Sequence, residues 1–518
     1  MKNKFLYLSV LVAGLVACEP EFKNPVEANY TAGEADFSTY VAVGNSLTSG
    51  FMDGTVFKSG QANSFPNLLA QQFAQVGGGV FTQPSYAEDI NDSGGILGLS
   101  GFNTRLIVNA TLGAPQNLNE PINITLSPQA TAYNNMGVPG AKSFHLLIPG
   151  YGNPANLASG GANPYFVRHA TSLTATVLGD AVSQNPTFFT NWIGGNDVLS
   201  YATSGGVGVD QTGNANPTTY GSNDITDPSL FHAVYDLIIN GGINATFGNV
   251  TGLAQNGAKG VVATIPNVTS IPYFTTVPYN AIPASKVATN TNAIQLYDFL
   301  AQVTAGRINP LSTAVGTTNP VLIVDETLTS LSTQISSVAT TIPSLAPYAT
   351  ALGQLYGKAR QAAATDLILL PASSKLGTKN SAGTAPFDIN GVSFPLQDGD
   401  VLIPSEQAAI ATATNAYNAS IKAIAASKNL AVADMNAILT ILVSGLKSEN
   451  GTIYTANYFS GGTSEFKVLF SLDGVHPNAR GYAVIANEII KTINTHYKSN
   501  IPFLNPNNFP GTTILLNN

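Results

Sequence analysis

The chain has 518 residues, of which 44% are hydrophobic and only 10% are charged, and its net charge is −8. This length allows one large domain or several ordinary ones, while the charge argues against nucleic acid as a partner, because phosphate binding takes clustered Lys and Arg. So few charges leave a surface of uncharged polar side chains, which suits an exported protein in contact with glycans or lipids.

The first eighteen residues have the layout of a bacterial lipoprotein signal peptide. Lys2 and Lys4 precede an apolar segment, 5–17, that is too short to span a bilayer. The segment ends in "LVAC", which resembles a lipobox, and Cys18 is the only cysteine. We expect lipid on Cys18 to anchor the protein in the bacterial cell envelope, as an outer-membrane lipoprotein. An ordinary signal peptide with an incidental cysteine is the alternative.

A polar segment, residues 19–37, follows the cysteine and is predicted to be a tether. Beyond it, apolar runs that end in Gly- or Asp-containing turns predict buried strands, and apolar residues at helical spacing predict helices. The predicted strands lie at 40–43, within "TFFTNWIGGND" and "GVVATIPNV", and at 430–433; the predicted helices lie within 63–76, 165–183 and 230–253, from Ser405 (a possible N-cap) onwards, and within 478–496. Such alternation predicts an α/β fold with a parallel central sheet.

Residues 273–401 break this alternation. Ile294, Tyr297 and Leu300 have helical spacing, and similar spacing recurs around 328–338. We predict a large, mostly helical insertion that extends or covers the core, as lids often do. Residues 498–518 are assigned to a C-terminal tail.

Two short motifs carry residues suited to catalysis. Ser46, in "GNS" after the first predicted strand, is either a nucleophile at a strand end or a serine in a turn. Asp473 precedes His476 by three residues in "DGVHP". At that spacing a carboxylate can orient an imidazole, whose other nitrogen can act as general base. The alternative is a capping aspartate beside a surface histidine.

Four blocks occur in order along the chain: "GNS", "MGVPGA", "GGND" and "DGVHP". This order resembles the SGNH (GDSL-type) hydrolase family over 38–272 and 402–497, with the insertion 273–401 lacking a counterpart. The resemblance implies a flavodoxin-like three-layer α/β/α sandwich with a parallel central sheet.

Carried over residue by residue, the resemblance gives Ser46 as nucleophile, His476 as base and Asp473 as its orienting partner. It implies an oxyanion hole formed by the Ser46 and Gly140 backbone N–H groups and the Asn196 side chain. The implied reaction is hydrolysis of carboxylic esters of lipids or acylated glycans through an acyl-enzyme, with no metal or organic cofactor. The alternative is a catalytically degenerate glycan- or lipid-binding lipoprotein on the same scaffold.

The sequence departs from the family pattern at Asn45, where the family usually has aspartate. Asparagine keeps the shape, can hydrogen-bond, and tolerates left-handed backbone conformations that a strained turn can require. Because the assigned chemistry needs no charge at this position, we expect activity to be reduced or shifted at most. The missing second glycine of Gly-x-Ser-x-Gly argues against an α/β-hydrolase elbow.

Several other residues are assigned structural roles. Trp192 either lines an acyl or sugar pocket or ends a buried strand, while Asp197 and Asp434 are expected to make hydrogen bonds at strand ends. The acidic loops at 222–229 and 388–400 fit no calcium loop and are expected to be solvated. His145, His169 and His232 lack the partner spacing of a zinc site.

Overall fold

The computed structural model of the protein describes residues 29–448, 451–460 and 467–515. The predicted signal peptide, the predicted lipidation site Cys18 and residues 19–28 of the predicted tether lie outside the described residues. The tether prediction is wrong for its last residues, because Ala35 and Phe37 are buried in the apolar core. Within the described ranges, every helix is too short or too polar to cross a membrane.

The centre of the protein is a five-stranded sheet in which all neighbouring strands are parallel. Its strands are β1 (Tyr40–Gly44), β2 (Asn135–Gly137), β3 (Phe188–Trp192), β4 (Lys259–Ala263) and β5 (Ala431–Ala433), in the order β5-β4-β3-β1-β2. The prediction of an α/β fold with a parallel central sheet is confirmed. Gly44 pairs with Gly137 on one side and with Trp192 on the other. The carboxyl ends of three strands therefore meet at one edge, where open α/β sheets bind their ligands.

Helices cover both faces of this sheet. The core helices are α1 (Ser46–Ser49), α2 (Phe65–Phe73), α3 (Val177–Val182), α4 (Asn196–Thr203), α5 (Pro228–Asn240), α6 (Pro404–Ser427), α7 (Met435–Ser444) and α8 (Ala479–Tyr497). Side chains alternate between the two faces of a strand. Tyr40 and Ala42 join the apolar core against α2 and α8, whereas Val41 and Val43 join the core against α3, α5 and α6. This arrangement is compatible with a three-layer sandwich.

The prediction of one continuous helix over 165–183 is wrong. The segment forms two short helices, Pro164–Val167 and Val177–Val182, each capped by a side chain, from Asn163 and Thr176 respectively. Arg168 separates them: its buried guanidinium donates to the carbonyl oxygens of Ser85 and Thr125. These bonds to distant backbone interrupt a helix that local spacing alone favours.

Two further helix boundaries differ from the prediction. The helix predicted over 230–253 ends at Asn240, because Gly241 has φ 70° and the chain continues into a hairpin of Gly242–Asn244 and Gly248–Val250. Ser405 is not an N-cap, since Pro404 already occupies the first turn of α6 and the carboxylate of Glu406 accepts the Ile403 N–H.

The insertion 273–401 is less helical than predicted. Its helices are Ala284–Val287, Thr291–Val303, Ser332–Thr340 and Ala349–Tyr356. Short strands pair between them: Ile282–Pro283 with Thr318–Asn319, Leu322–Val324 with Ala359–Gln361, and Leu367–Ile368 with Val401–Leu402. Apolar clusters of its own, around Leu300 and Tyr356 and around Val321 and Ile368, give it a separate core.

The remaining elements are short. They are the helices Lys58–Ala62 and Pro272–Thr275 and the strands Leu106–Asn109, Ala114–Asn117, Leu446–Lys447, Ile453–Tyr454 and Ile514–Leu515. The last strand pairs with Leu106–Asn109, and Ile501 is buried. The predicted C-terminal tail therefore has a buried residue near its start and ends, within the described residues, in a paired strand.

Candidate active site

Ser46 is the first residue of α1, directly beyond the carboxyl end of β1. Asn45 caps this short helix, because its Oδ1 accepts the Leu47 N–H at 3.1 Å. Asn45 has φ −108°, so the left-handed conformation considered for it is not used. Gly44 is required before it: a Cβ there would overlap Thr48 and lie 2.6 Å from the Trp192 carbonyl oxygen. The turn from β1 into α1 thus holds Ser46 at the strand-end edge.

Ser46, His476 and Asp473 form a continuous hydrogen-bonded chain. Ser46 Oγ lies 2.8 Å from His476 Nε2, and His476 Nδ1 lies 2.9 Å from Asp473 Oδ2. With its proton on Nδ1, the imidazole donates to the carboxylate and presents the Nε2 lone pair to the serine hydroxyl. This is the arrangement in which an imidazole can deprotonate an attacking hydroxyl group.

Asp473 is held as a carboxylate by the groups around it. Burial alone would raise its pKa, but the His476 imidazole and the N–H groups of Val475 and His476, both at 2.8 Å, hold the pKa below its usual range. The Gly54 N–H donates to the same carboxylate at 3.1 Å. An ionised Asp473 favours the histidine tautomer with its proton on Nδ1, and it could stabilise an imidazolium if His476 took a proton from Ser46.

The segment 51–54, which the sequence reasoning missed, packs against this chain. The Phe51 ring lies 4.6 Å from the His476 ring, centroid to centroid. Asp53 donates its N–H to Ser471 Oγ at 3.0 Å and accepts the Leu472 N–H at 2.9 Å. The turn dipeptide Asp-Gly, a few residues after the serine, is the one sequence signal that could have indicated this contact.

Asp53 is a buried carboxyl group beside the charged Asp473. Burial is the main reason that its pKa rises to about 7, and the negative charge of Asp473 adds to the rise, against the opposing effects of the Leu472 hydrogen bond and of Arg105. Below about pH 7, Asp53 is therefore the protonated member of this pair and Asp473 the ionised one.

The loop that carries Asp473 and His476 is fixed from several sides. The Ser471 N–H donates to the His476 carbonyl at 2.8 Å, and Tyr458 donates to the Leu472 carbonyl at 2.6 Å. Tyr273, at the start of the insertion, donates its N–H to the Gly474 carbonyl at 2.9 Å. Asn478 then caps α8 by accepting the Gly481 N–H. These bonds hold the backbone of the loop that carries His476 in place.

The predicted oxyanion donors lie at the same strand-end edge. Asn196 Nδ2 donates to the Ala141 carbonyl at 2.9 Å, which leaves its second amide hydrogen for another acceptor. The N–H groups of Gly140 and Ser46 make no hydrogen bond among the described residues. The blocks that carry Gly140 and Asn196 are tied together where Ser143 donates to the Asp197 carboxylate, through its N–H and its hydroxyl, at 2.8 Å each.

A cavity of about 500 Å³, its open mouth included, begins at Ser46. Ser46, His476 and Asn196 form its polar side, while Trp192 and Leu199 are among its apolar lining. Gly140 is exposed and is not among the lining residues. No described residue of 273–401 lines the cavity, so the lid role of the insertion stays a prediction.

The other histidines lie elsewhere. His145 stacks on Tyr151 and accepts the Lys142 N–H, and His169 is buried. Burial lowers the pKa of each to about 3, with the positive charges of Lys142 and Arg168, respectively, adding to the shift. Both are therefore neutral side chains packed in the core.

One acidic cluster has oxygens close enough to hold a cation: those of Glu326, Asp398 and Glu406 lie within 4.8 Å of one another. Glu406 already accepts the Ile403 N–H. Burial is the main cause that raises the pKa of Glu406 to about 8. A proton bound to Glu406 therefore relieves part of the repulsion among the three carboxyl groups. None of the three lines the Ser46 cavity, and we assign them no part in its chemistry.

Comparisons with known proteins found no match for this chain among family models, curated proteins or solved structures. The resemblance to SGNH hydrolases therefore stays a prediction from the four blocks, and the roles of their residues have to be argued from geometry.

Proposed function

We propose that the protein is a serine esterase of the SGNH type that cleaves carboxylic esters. The observation that carries this proposal is the hydrogen-bonded chain from Ser46 through His476 to Asp473, at the carboxyl edge of a parallel sheet. The four sequence blocks lie at or beside this edge, which supports the family assignment. A binding protein on a degenerate scaffold would need no such chain.

The proposed reaction has two halves. Ser46 Oγ attacks the ester carbonyl carbon while His476 Nε2 takes the hydroxyl proton, and Asp473 stabilises the resulting imidazolium. The tetrahedral oxyanion receives hydrogen bonds from Asn196 Nδ2 and from the N–H groups of Gly140 and Ser46. His476 then protonates the departing alcohol, which leaves an acyl-enzyme on Ser46. Water, deprotonated by His476, releases the acid and restores the serine.

The location of the reaction is part of the proposal. The lipobox-like "LVAC" and the polar segment after it favour a lipoprotein of the bacterial cell envelope, anchored through Cys18. An ester-containing lipid or acylated glycan of that compartment is then the substrate. The open cavity mouth leaves Ser46 reachable from solvent.

Covalent labelling tests the nucleophile whatever the natural substrate is. A fluorophosphonate reacts only with an activated serine, so the purified chain lacking residues 1–18 should gain one adduct, mapped to Ser46 by peptide mass spectrometry. Ser46→Ala and His476→Ala should abolish labelling. Ser49→Ala is the matched control, because Ser49 lies in the same short helix and should leave labelling intact. Labelling of folded Ser46→Ala protein at the wild-type rate would refute the assignment.

A further inference from the structure

A second cavity, larger and entirely apolar in character, lies beside the one at Ser46. It holds about 660 Å³ of empty space, its open mouth included. None of the fifteen described residues that line it carries a charged side chain. Such a lining favours an apolar ligand, because a polar group buried in it would lose its hydrogen bonds to water.

Helix α7 forms one wall of this apolar cavity. Met435, Ile438, Leu439 and Leu442 line it, at the spacing of one helical face. The helix is held in place where Asp434 accepts the Ala437 N–H and Asn436 donates to the Ile265 carbonyl. The wall is thus a fixed part of the core.

The two cavities lie side by side and share part of their walls. Leu47, Trp192, Pro266, Ile271 and Val475 line both of them. Leu47 directly follows the proposed nucleophile and Val475 directly precedes the proposed base. The apolar cavity therefore adjoins the place that a group attached to a carbonyl carbon at Ser46 would occupy.

We propose that the apolar cavity binds the acyl chain of the substrate, so that the enzyme acts on esters of fatty acids rather than on acetylated glycans. This inference rests on the proposed function. An acetyl group is too short to fill the cavity, and a sugar hydroxyl placed in it would lose its hydrogen bonds to water. Each methylene group of a fatty acyl chain that is buried in the cavity should instead tighten binding roughly threefold to fourfold. Trp192, which sequence alone left as either pocket lining or a buried strand end, is a wall residue of the acyl site.

The first test compares acyl chain lengths. When the purified protein is assayed with p-nitrophenyl esters, kcat/KM should rise at least about 30-fold from acetyl to octanoyl. Ile438→Phe adds volume where a partly buried side chain faces the cavity, and should cut the octanoyl-to-acetyl ratio about tenfold. Ile441→Phe is the matched control, because Ile441 is on the same helix but 49% exposed. A flat profile in a protein that hydrolyses the acetyl ester would overturn the acyl site and leave the esterase proposal standing.

The second test does not depend on catalysis. Trp192 is the only tryptophan and lines the cavity, so a bromine-labelled C10 fatty acid should quench its fluorescence saturably. Quenching should persist in Ser46→Ala and Ile441→Phe and weaken about tenfold or more in Ile438→Phe. If no ester is hydrolysed but quenching occurs, the proposed function fails while the apolar site stands. Absence of saturable quenching in the unmodified protein would overturn the site itself.

Discussion

The backbone N–H of Gly54 donates a hydrogen bond to Asp473 Oδ2 across 419 positions of sequence. Through this bond, and through the two bonds between Asp53 and the segment 471–472, the turn after α1 supports the loop that carries His476. The proposed serine and its histidine are therefore positioned by one shared piece of backbone.

Loss of either end of the hydrogen-bonded chain should abolish turnover. When residues act as a unit in catalysis, removing one of them lowers the rate about as much as removing all of them. We therefore expect Ser46→Ala or His476→Ala to lower kcat by roughly 10⁴–10⁶. Steady-state kinetics on an activated ester measure the loss, and circular dichroism and thermal melting check the fold. A folded Ser46→Ala protein with substantial activity would contradict the mechanism.

Removal of one oxyanion donor should have a smaller effect. Asn196→Ala takes away the side-chain amide but leaves the serine, histidine and aspartate, and we expect kcat to fall by roughly 10²–10³. KM should change little, because the donor acts mainly on charge that develops in the transition state. Asn163→Ala serves as a comparison. It removes a hydrogen bond to the carbonyl of Pro139, the residue before Gly140, and should lower kcat by a smaller factor.

Asp53→Asn should change how stability depends on pH. The pKa of this carboxyl group rises from 3.8 to about 7 on folding, so between those values the folded chain keeps a proton that the unfolded chain has lost. The contribution of Asp53 is complete below pH 3.8, declines as pH rises and is lost above about pH 7. Asparagine can still accept the Leu472 N–H and tolerates φ 52°.

Chemical denaturation at pH 4 and pH 8 measures this effect. We expect Asp53→Asn to reduce the fall in unfolding free energy between the two pH values by about 1–3 kcal/mol relative to wild type. Asp298→Asn, at an exposed position of the insertion, is the control and should keep the wild-type profile. Equal pH dependence in wild type and Asp53→Asn would show that Asp53 stays ionised in the folded protein.

Membrane association should depend on the sole cysteine. If "LVAC" is a lipobox, Cys18→Ser prevents acylation, and the protein should move from the membrane to the soluble fraction of the producing cells. Fractionation with immunoblotting, together with metabolic labelling by a fatty acid, measures the change. Unchanged membrane association of the variant would remove the lipoprotein assignment.

The sequence predicted those parts of the molecule that are encoded locally. Apolar runs gave four of the five central strands. The blocks "GNS" and "DGVHP" indicated residues that meet in space, Ser46 just beyond the carboxyl end of β1 and His476 in the loop before α8. Contacts made at long range were missed. Arg168 breaks a predicted helix through bonds to residues far away in sequence. Helix α7 is apolar on several sides, so its sequence does not show which side lines the apolar cavity.

The last prediction concerns Asn45, where the SGNH pattern has aspartate. The structure gives its side chain one clear contact, the cap on the Leu47 N–H, and an aspartate oxygen can accept the same bond. If this cap is its role, Asn45→Asp should change kcat/KM by less than about tenfold, or roughly 1.4 kcal/mol of barrier. Asn45→Ala, which removes the cap, should cost about 1 kcal/mol of stability. Kinetics on one ester and thermal melts of all three forms check both expectations. A thousandfold gain on installing aspartate would mean that the natural chain is a degenerate hydrolase, and would favour a binding function for the scaffold.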